Sequence, residues 1–130
     1  MKITRHSLLL GSLLALSLGM AQAAERIVVL SSDIADIMVA LKAENLVVGR
    51  DSLSKAPTLA SAKNIGMFRN LTAEPIVALK PTVVLGSYMA HPANIYGQLN
   101  RHQIKAVNVI PQQSEQSFAK GIVEVGKYAG

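Results

Sequence analysis

The stretch Ile65–Ser87, IGMFRNLTAEPIVALKPTVVLGS, restricts the folds open to this chain more than any other. Proline is tolerated in a helix only in the first turn, where its missing N–H has no partner to lose. A helix containing Pro75 therefore starts just before it, and Thr72 stands where its hydroxyl can cap that start. Glu74 is favoured there by the helix dipole. Ile76, Val77 and Leu79 supply the apolar face, and Pro81 ends the helix. Val83, Val84 and Leu85 then form a short unbroken apolar run, the pattern of a strand buried on both faces of a parallel sheet.

The remaining segments fit around this unit. Arg26–Leu30 (RIVVL) is a first strand. Ser31, Ser32 and Asp33 follow, and each can cap a helix over about 33–42. That helix carries Ile34, Ile37, Met38 and Leu41 on one face. Leu46–Val48 is a second strand, ended by Gly49, and 50–64 reads as a polar, irregular loop. A helix over 92–103 turns Ile95 and Leu99 inward. Ala106–Ile110 (AVNVI) is a fourth strand, ended by Pro111. From Ser114 a last helix carries Phe118, Ile122, Val125 and Ala129 on one face. Strands alternating with helices predict an α/β fold with a Rossmann-like parallel sheet and right-handed crossovers.

The N-terminus has a different character. Lys2 and Arg5 precede the apolar run Leu8–Met20, and Ala21-Gln22-Ala23 is a small-x-small cleavage site. This is the layout of a secretory signal peptide over residues 1–23, with a soluble product in the periplasm where the host has two membranes. Losing Lys2 and Arg5 takes the basic residues from 13 to 11 against 8 acidic ones, so the net charge drops from +5 to +3. The remaining cations are scattered singly among few aromatics, which gives no support to nucleic-acid binding. There is no Cys, hence no disulfide framework and no thiolate metal site. The expected organisation is a lobe over 24–113 and the start of an interlobe helix over 114–130. The apolar face of that helix needs a partner, as in the first lobe of a two-lobe protein cut inside its connecting helix. A complete small α/β domain is the alternative.

In an open parallel sheet, ligands bind at the carboxyl ends of the strands. Ser31–Asp33, Arg50–Pro57, Ser87–Pro92 and Ile110–Gln113 converge there, and Met67–Arg69 can reach the same edge. The candidate ligand-binding residues are Ser31, Ser32, Arg50, Asp51, Ser52, Met67, Arg69, Tyr88 and His91. The mixture suits a large ligand, partly apolar and partly anionic. Arg50 and Arg69 can pair with Asp51 or take a ligand carboxylate. Met67 and Phe68 suit core and site equally, and Asp33 and Asp36 read most simply as a cap and a first-turn acid. His91 suits a surface or capping role as well as a ligand role. No Gly-rich phosphate loop, HExxH or nucleophile–base pair occurs, which disfavours an exported hydrolase or reductase.

The segments RIVVLSSDIADIMVALKAENLVVGRDS, IGMFRNLTAEPIVALKPTVVLGS and QLNRHQIKAVNV resemble the N-terminal lobe of periplasmic haem-binding proteins of ABC importers. These belong to the larger group that binds haem, cobalamin and ferric siderophores. The resemblance covers about Glu25–Gly130. Its most specific parts are VVGRDS, the G-x-x-R of Gly66–Arg69 and LTAEPIVALKP. It implies two α/β lobes joined by one long helix, haem captured in the cleft as transported ligand, no catalysis, and delivery to an inner-membrane permease. It also implies that Glu74 meets arginines of that permease. The usual haem-ligating tyrosine position is Ala56 here, and a second tyrosine position is Met67. His91 and Tyr88 are then the first candidates for the iron, ahead of Met67 and Met89, with Arg50 and Arg69 for the propionates. Cobalamin or a ferric siderophore is the alternative ligand, and an inactive single-lobe fragment the alternative state.

Overall fold

The computed structural model describes residues 24–130, so the leader expected over 1–23 lies outside the described residues. In chain order come β1 (Ile27–Val29), α1 (Ser32–Ala40), β2 (Val47–Arg50), β3 (Lys63–Asn64), α2 (Ala73–Val77), β4 (Val83–Ser87), α3 (Ile95–Arg101), β5 (Ala106–Ile110) and α4 (Glu115–Ala129). Two 3-10 turns, Glu44–Leu46 and Pro57–Leu59, flank β2. The strands form one sheet in the order β3-β2-β1-β4-β5, and every neighbouring pair is parallel. No helix among the described residues is long and apolar enough to cross a membrane.

The unbroken apolar runs take the two central places. Every residue of β1 and β4 is buried. Ile27, Val29, Val83 and Leu85 face a core made with Ile34, Ile37 and Met38 of α1 and Val125 of α4. Val28, Leu30 and Val84 face the opposite core, with Ile76 of α2 and Ile95 and Leu99 of α3. The sheet is thus covered by helices on both sides, as a doubly wound parallel sheet must be. The chain builds outward from β1 to β2 and β3, then crosses to the other side for β4 and β5. Strand order therefore reverses between β1 and β4, and the crevice at their carboxyl ends is the topological switch point.

Three expectations are corrected. The segment 50–64 is not all loop: Lys63 and Asn64 pair with Gly49 and Arg50 as a fifth, edge strand. Both residues are exposed, so no apolar pattern announced it. Thr72 occupies the N-cap of α2, yet its hydroxyl makes no capping bond. Asp36 lies beyond the first turn of α1, which holds only Asp33 as an acid. In α4 the buried positions are Ser117, Gly121 and Val125, while Phe118 and Ile122, on the face expected to need a partner, are 45% and 36% exposed. Gly121 explains which side lies on the sheet, because a Cβ there would overlap Ile110 and stand 2.9 Å from the Val109 carbonyl. The missing side chain lets α4 lie directly on β5. Ser114 caps α4, its hydroxyl accepting the Ser117 N–H at 3.1 Å.

Candidate ligand-binding rim at the carboxyl edge of the sheet

β1 and β4 end on Leu30-Ser31 and Ser87-Tyr88, side by side at the switch point. Ser31 and Ser87 are fully buried, and their hydroxyls lie 3.2 Å apart. The Ser31 hydroxyl also donates to the Asp33 carboxylate, which accepts the Ile34 N–H at 2.9 Å. Ser31 is the N-cap residue of α1 by position, but Asp33 supplies the capping oxygen. Ser32 is the first, half-buried residue of the helix.

The loop after β4 is stitched to the loop after β3. His91 N–H donates to the Phe68 carbonyl at 2.7 Å, and the His91 carbonyl accepts the Leu71 N–H at 2.8 Å. Tyr88 N–H donates to the Ile110 carbonyl at 2.7 Å, tying the same loop to the end of β5. These bonds gather Phe68, Arg69, Tyr88, Met89 and His91 around an open groove of about 480 Å³. That volume is in the range of small-molecule sites. Phe68 is its buried floor, 8% exposed, and the Arg69 guanidinium carbon stands 5.3 Å over the Phe68 ring centroid. The stacking leaves the exposed Arg69 N–H fork free of protein ion pairs among the described residues. The Tyr88 side chain is also exposed.

His91 Nδ1 is 2.9 Å from the Met89 carbonyl oxygen. A carbonyl only accepts, so Nδ1 carries the proton, and in the neutral imidazole Nε2 then keeps the lone pair, the arrangement of a metal-ligating imidazole. No cluster of three or more His, Asp or Glu able to hold a bare metal ion occurs among the described residues. The groove can therefore offer one or two donors to a metal already held by its own chelate. A second groove of about 430 Å³ lies on the other side of Tyr88, lined by Asp33, Ile110, Gln112, Gln113, Ser114, Glu115 and Phe118.

The predicted residues thus separate. Arg69, Tyr88 and His91 line one groove, and Ser31 lies buried beside the loop that carries the last two. Arg50, Asp51 and Ser52 are occupied in holding the β2–β3 side of the rim. Arg50 donates from Nε to the Leu59 carbonyl at 3.2 Å and from Nη1 to the Asp51 carbonyl at 3.3 Å. Asp51 is fully buried; its carboxylate accepts the Leu53 N–H at 3.1 Å and the Ser54 hydroxyl. Ser52 donates to the Asn64 side chain at 3.0 Å, and its N–H to the Gly66 carbonyl at 2.9 Å. Met67 is 43% exposed at the lip of this loop, and Ala56 is half-buried against the α1-side core. Glu74 is exposed in the first turn of α2.

Sequence reasoning missed Tyr96. Its hydroxyl, carried on α3, donates to the Ser87 carbonyl at 2.7 Å. Burial, assisted by the nearby Asp33 charge, pushes the Tyr96 phenol well above its ordinary value. The signal was Gly86, fully inside a strand, where a Cβ would overlap that hydroxyl. Glycine in a strand interior marks a close approach.

A parallel, doubly wound lobe with an open groove at its switch point is the architecture of a ligand-binding α/β lobe. The sequence profile of the family described as periplasmic binding protein matches residues 27–130, and the chain belongs to that family. Among solved structures it is similar to the periplasmic heme-binding protein HutB of Vibrio cholerae, with 26% identity and a TM-score of 0.71 over 82% of this chain and 42% of that one. It is similar to the periplasmic heme-binding protein RhuT of Roseiflexus sp. RS-1, with 31% identity and a TM-score of 0.66 over 82% of this chain and 44% of that one. A periplasmic heme-binding protein of Pseudomonas aeruginosa shares the fold at 23% identity, TM-score 0.73, over 82% of this chain and 38% of that one. The chain spans about two fifths of the length of these structures. No curated protein matches the sequence.

Proposed function

We propose that this chain is the N-terminal lobe of a periplasmic ligand-capturing protein that takes haem and hands it to the permease of an ABC importer. The observation that carries the reading is the groove of Phe68, Arg69, Tyr88, Met89 and His91 at the switch point, in a lobe similar to proteins described as heme-binding. Haem fits its chemistry. Phe68 and Met89 offer apolar contact to a flat ring, His91 Nε2 and the Tyr88 hydroxyl are available to iron, and Arg69 suits a propionate. Ser31, Ser32 and Met67 complete the proposed rim, Arg50, Asp51 and Ser52 brace its β2 side, and Glu74 docks on the permease. Capture makes and breaks no covalent bond. In the same proposal residues 1–23 are a cleaved export leader, 24–113 the lobe, and 114–130 the start of a helix leading to a second lobe.

Titrating the full-length protein with hemin tests this. Saturable growth of a shifted Soret band at micromolar hemin or below is the expected result. No shift at any ratio removes haem. Ala56 and Met67, at the positions where the resemblance places tyrosines, make a different chelate the second reading. Calorimetric titration with cobalamin and with a ferric siderophore distinguishes it.

A further inference from the structure

The Tyr88–His91 loop contributes three of the five groove residues, so what fixes this loop fixes the site. Its backbone leaves the sheet at an irregular point: the pairing of β4 with β5 shifts register between Gly86 and Ser87. At that point Ser87 is held from three directions. Its hydroxyl lies 3.2 Å from the Ser31 hydroxyl at the end of β1. The same oxygen accepts the Met89 N–H at 3.1 Å, closing a turn around Tyr88. Its carbonyl accepts the Tyr96 hydroxyl at 2.7 Å from across the sheet. Ser87 is fully buried, so water cannot replace a lost partner there and each vacancy would leave a polar group unpaired.

Glycine at position 86 belongs to the same device. A Cβ there would overlap the Tyr96 hydroxyl oxygen and approach Leu30 to 3.0 Å. Only with Gly86 can Tyr96 pass over β4 and reach the Ser87 carbonyl. The two sides of the sheet therefore meet on one residue: Ser31, itself held by Asp33, from the α1 side, and Tyr96 from the α3 side.

Resting on the haem-capture reading above, we infer that Ser87, braced by Tyr96, is a positioning residue that presets the directions of Tyr88 and His91 before ligand arrives. Neither Ser87 nor Tyr96 lines the groove. They act through the Met89 turn, whose carbonyl in turn holds His91 Nδ1. Preorganisation of this kind appears mainly in the dissociation rate, because a loop that must be ordered on binding gives that cost back on release.

The test compares Tyr96→Phe, Ser87→Ala and Ser87→Cys with the unaltered chain. Phe keeps the ring and removes only the hydroxyl, and the Cys thiol restores a weak donor and acceptor. Hemin dissociation is expected to quicken roughly tenfold in Tyr96→Phe and Ser87→Ala, the effect of one lost net hydrogen bond, with partial rescue in Ser87→Cys. The visible bands of the hemin complex should also change, since they report iron ligation. A lower melting temperature with unchanged dissociation rate and bands assigns these residues to stability alone and overturns the inference. Amide hydrogen exchange keeps the test independent of haem. The Met89 N–H should exchange faster in both variants without any ligand, and an unchanged rate overturns the inference. If the unaltered chain shows no Soret shift, the haem reading falls, and the Met89 exchange alone still decides whether Ser87 positions the loop. Gly86→Ala closes the argument. It should disturb Met89 exchange strongly when Tyr96 is present and much less when it is combined with Tyr96→Phe. Equal disturbance in both backgrounds refutes the proposed passage of Tyr96 over the glycine.

Discussion

Two glycines of one helix should respond in opposite directions to the same substitution. Gly121 and Gly126 both lie in α4, and helix propensity alone favours alanine at each by up to about 1 kcal/mol. At Gly126 nothing stands within 4 Å of the Cβ that alanine would add, so that gain should appear, at the low end because the last turn frays: about 0.5 kcal/mol. At Gly121 the added Cβ would overlap Ile110 Cγ1 and stand 2.9 Å from the Val109 carbonyl oxygen. The Ile110 side chain can turn aside, but the carbonyl belongs to β5 and cannot, so α4 must lift from the sheet. Overpacking of this kind costs about 1–3 kcal/mol, which outweighs the propensity gain. Thermal unfolding followed by circular dichroism reads the difference, since about 1 kcal/mol moves the midpoint by roughly 4–8 °C in a domain of this size. Gly121→Ala should melt several degrees below the unaltered chain and Gly126→Ala slightly above it. Two equal stabilisations would mean that α4 does not rest on β5. Phe118 would then lose its place beside Tyr88 in the second groove.

Tyr96 makes stability depend on alkaline pH. Its folded-state pKa lies above the unfolded value of about 10, so its contribution is whole below that pH and is lost as pH rises toward the folded value. Unfolding midpoints in denaturant should fall above about pH 10 with a slope of up to about 1.4 kcal/mol per pH unit more than in Tyr96→Phe. Parallel curves for the two proteins would refute the burial of the phenol. Arg50 and Arg69 should separate. Arg50→Gln removes donors to the Leu59 and Asp51 carbonyls and should lower stability by about 1.5 kcal/mol in urea titration, with hemin affinity nearly unchanged. Arg69→Gln should leave stability in place and weaken hemin binding by up to about fivefold, an effect that shrinks as salt is added. Glu74→Lys should leave hemin titration unaltered and impair transfer to a reconstituted permease. Normal transfer would remove the docking role.

How far the fold could be read from the sequence followed burial. β1 and β4 are covered on both faces, and for such strands the apolar run is itself the signal; both appeared where RIVVL and TVVLGS place them. β3 is two exposed residues on an edge, Lys63 and Asn64, held by backbone pairing to Gly49 and Arg50. Main-chain hydrogen bonds ask little of side chains, so nothing in the sequence marked it. α4 shows a different limit. The apolar residues marked a face with Phe118 and Ile122 that needs a partner, which is exposed, but not the side that meets the sheet, where close approach to β5 selects the smaller Ser117 and Gly121. Contact distance, not hydrophobicity, decides which stripe a helix buries when it lies on an edge strand.

The site was legible by topology and illegible by hydrogen bonding. Parallel strands put the loops after β1, β2, β3, β4 and β5 on one edge, which was enough to collect Arg69, Tyr88 and His91. It was not enough to show that Asp51 commits its carboxylate to Leu53 and Ser54, or that Arg50 commits its guanidinium to two carbonyls. A charged residue at a rim is a candidate until its partners are counted, and on the β2 side of this rim both Asp51 oxygens and two of the Arg50 donors already have partners. What stays open lies after β3 and β4: a guanidinium stacked on Phe68, an exposed phenol and an imidazole with Nε2 free. That inequality points a bulky anionic chelate toward the Arg69–His91 groove and away from the loop after β2. It also makes the loop after β4, and whatever holds that loop still, the part of the lobe on which the proposed capture depends.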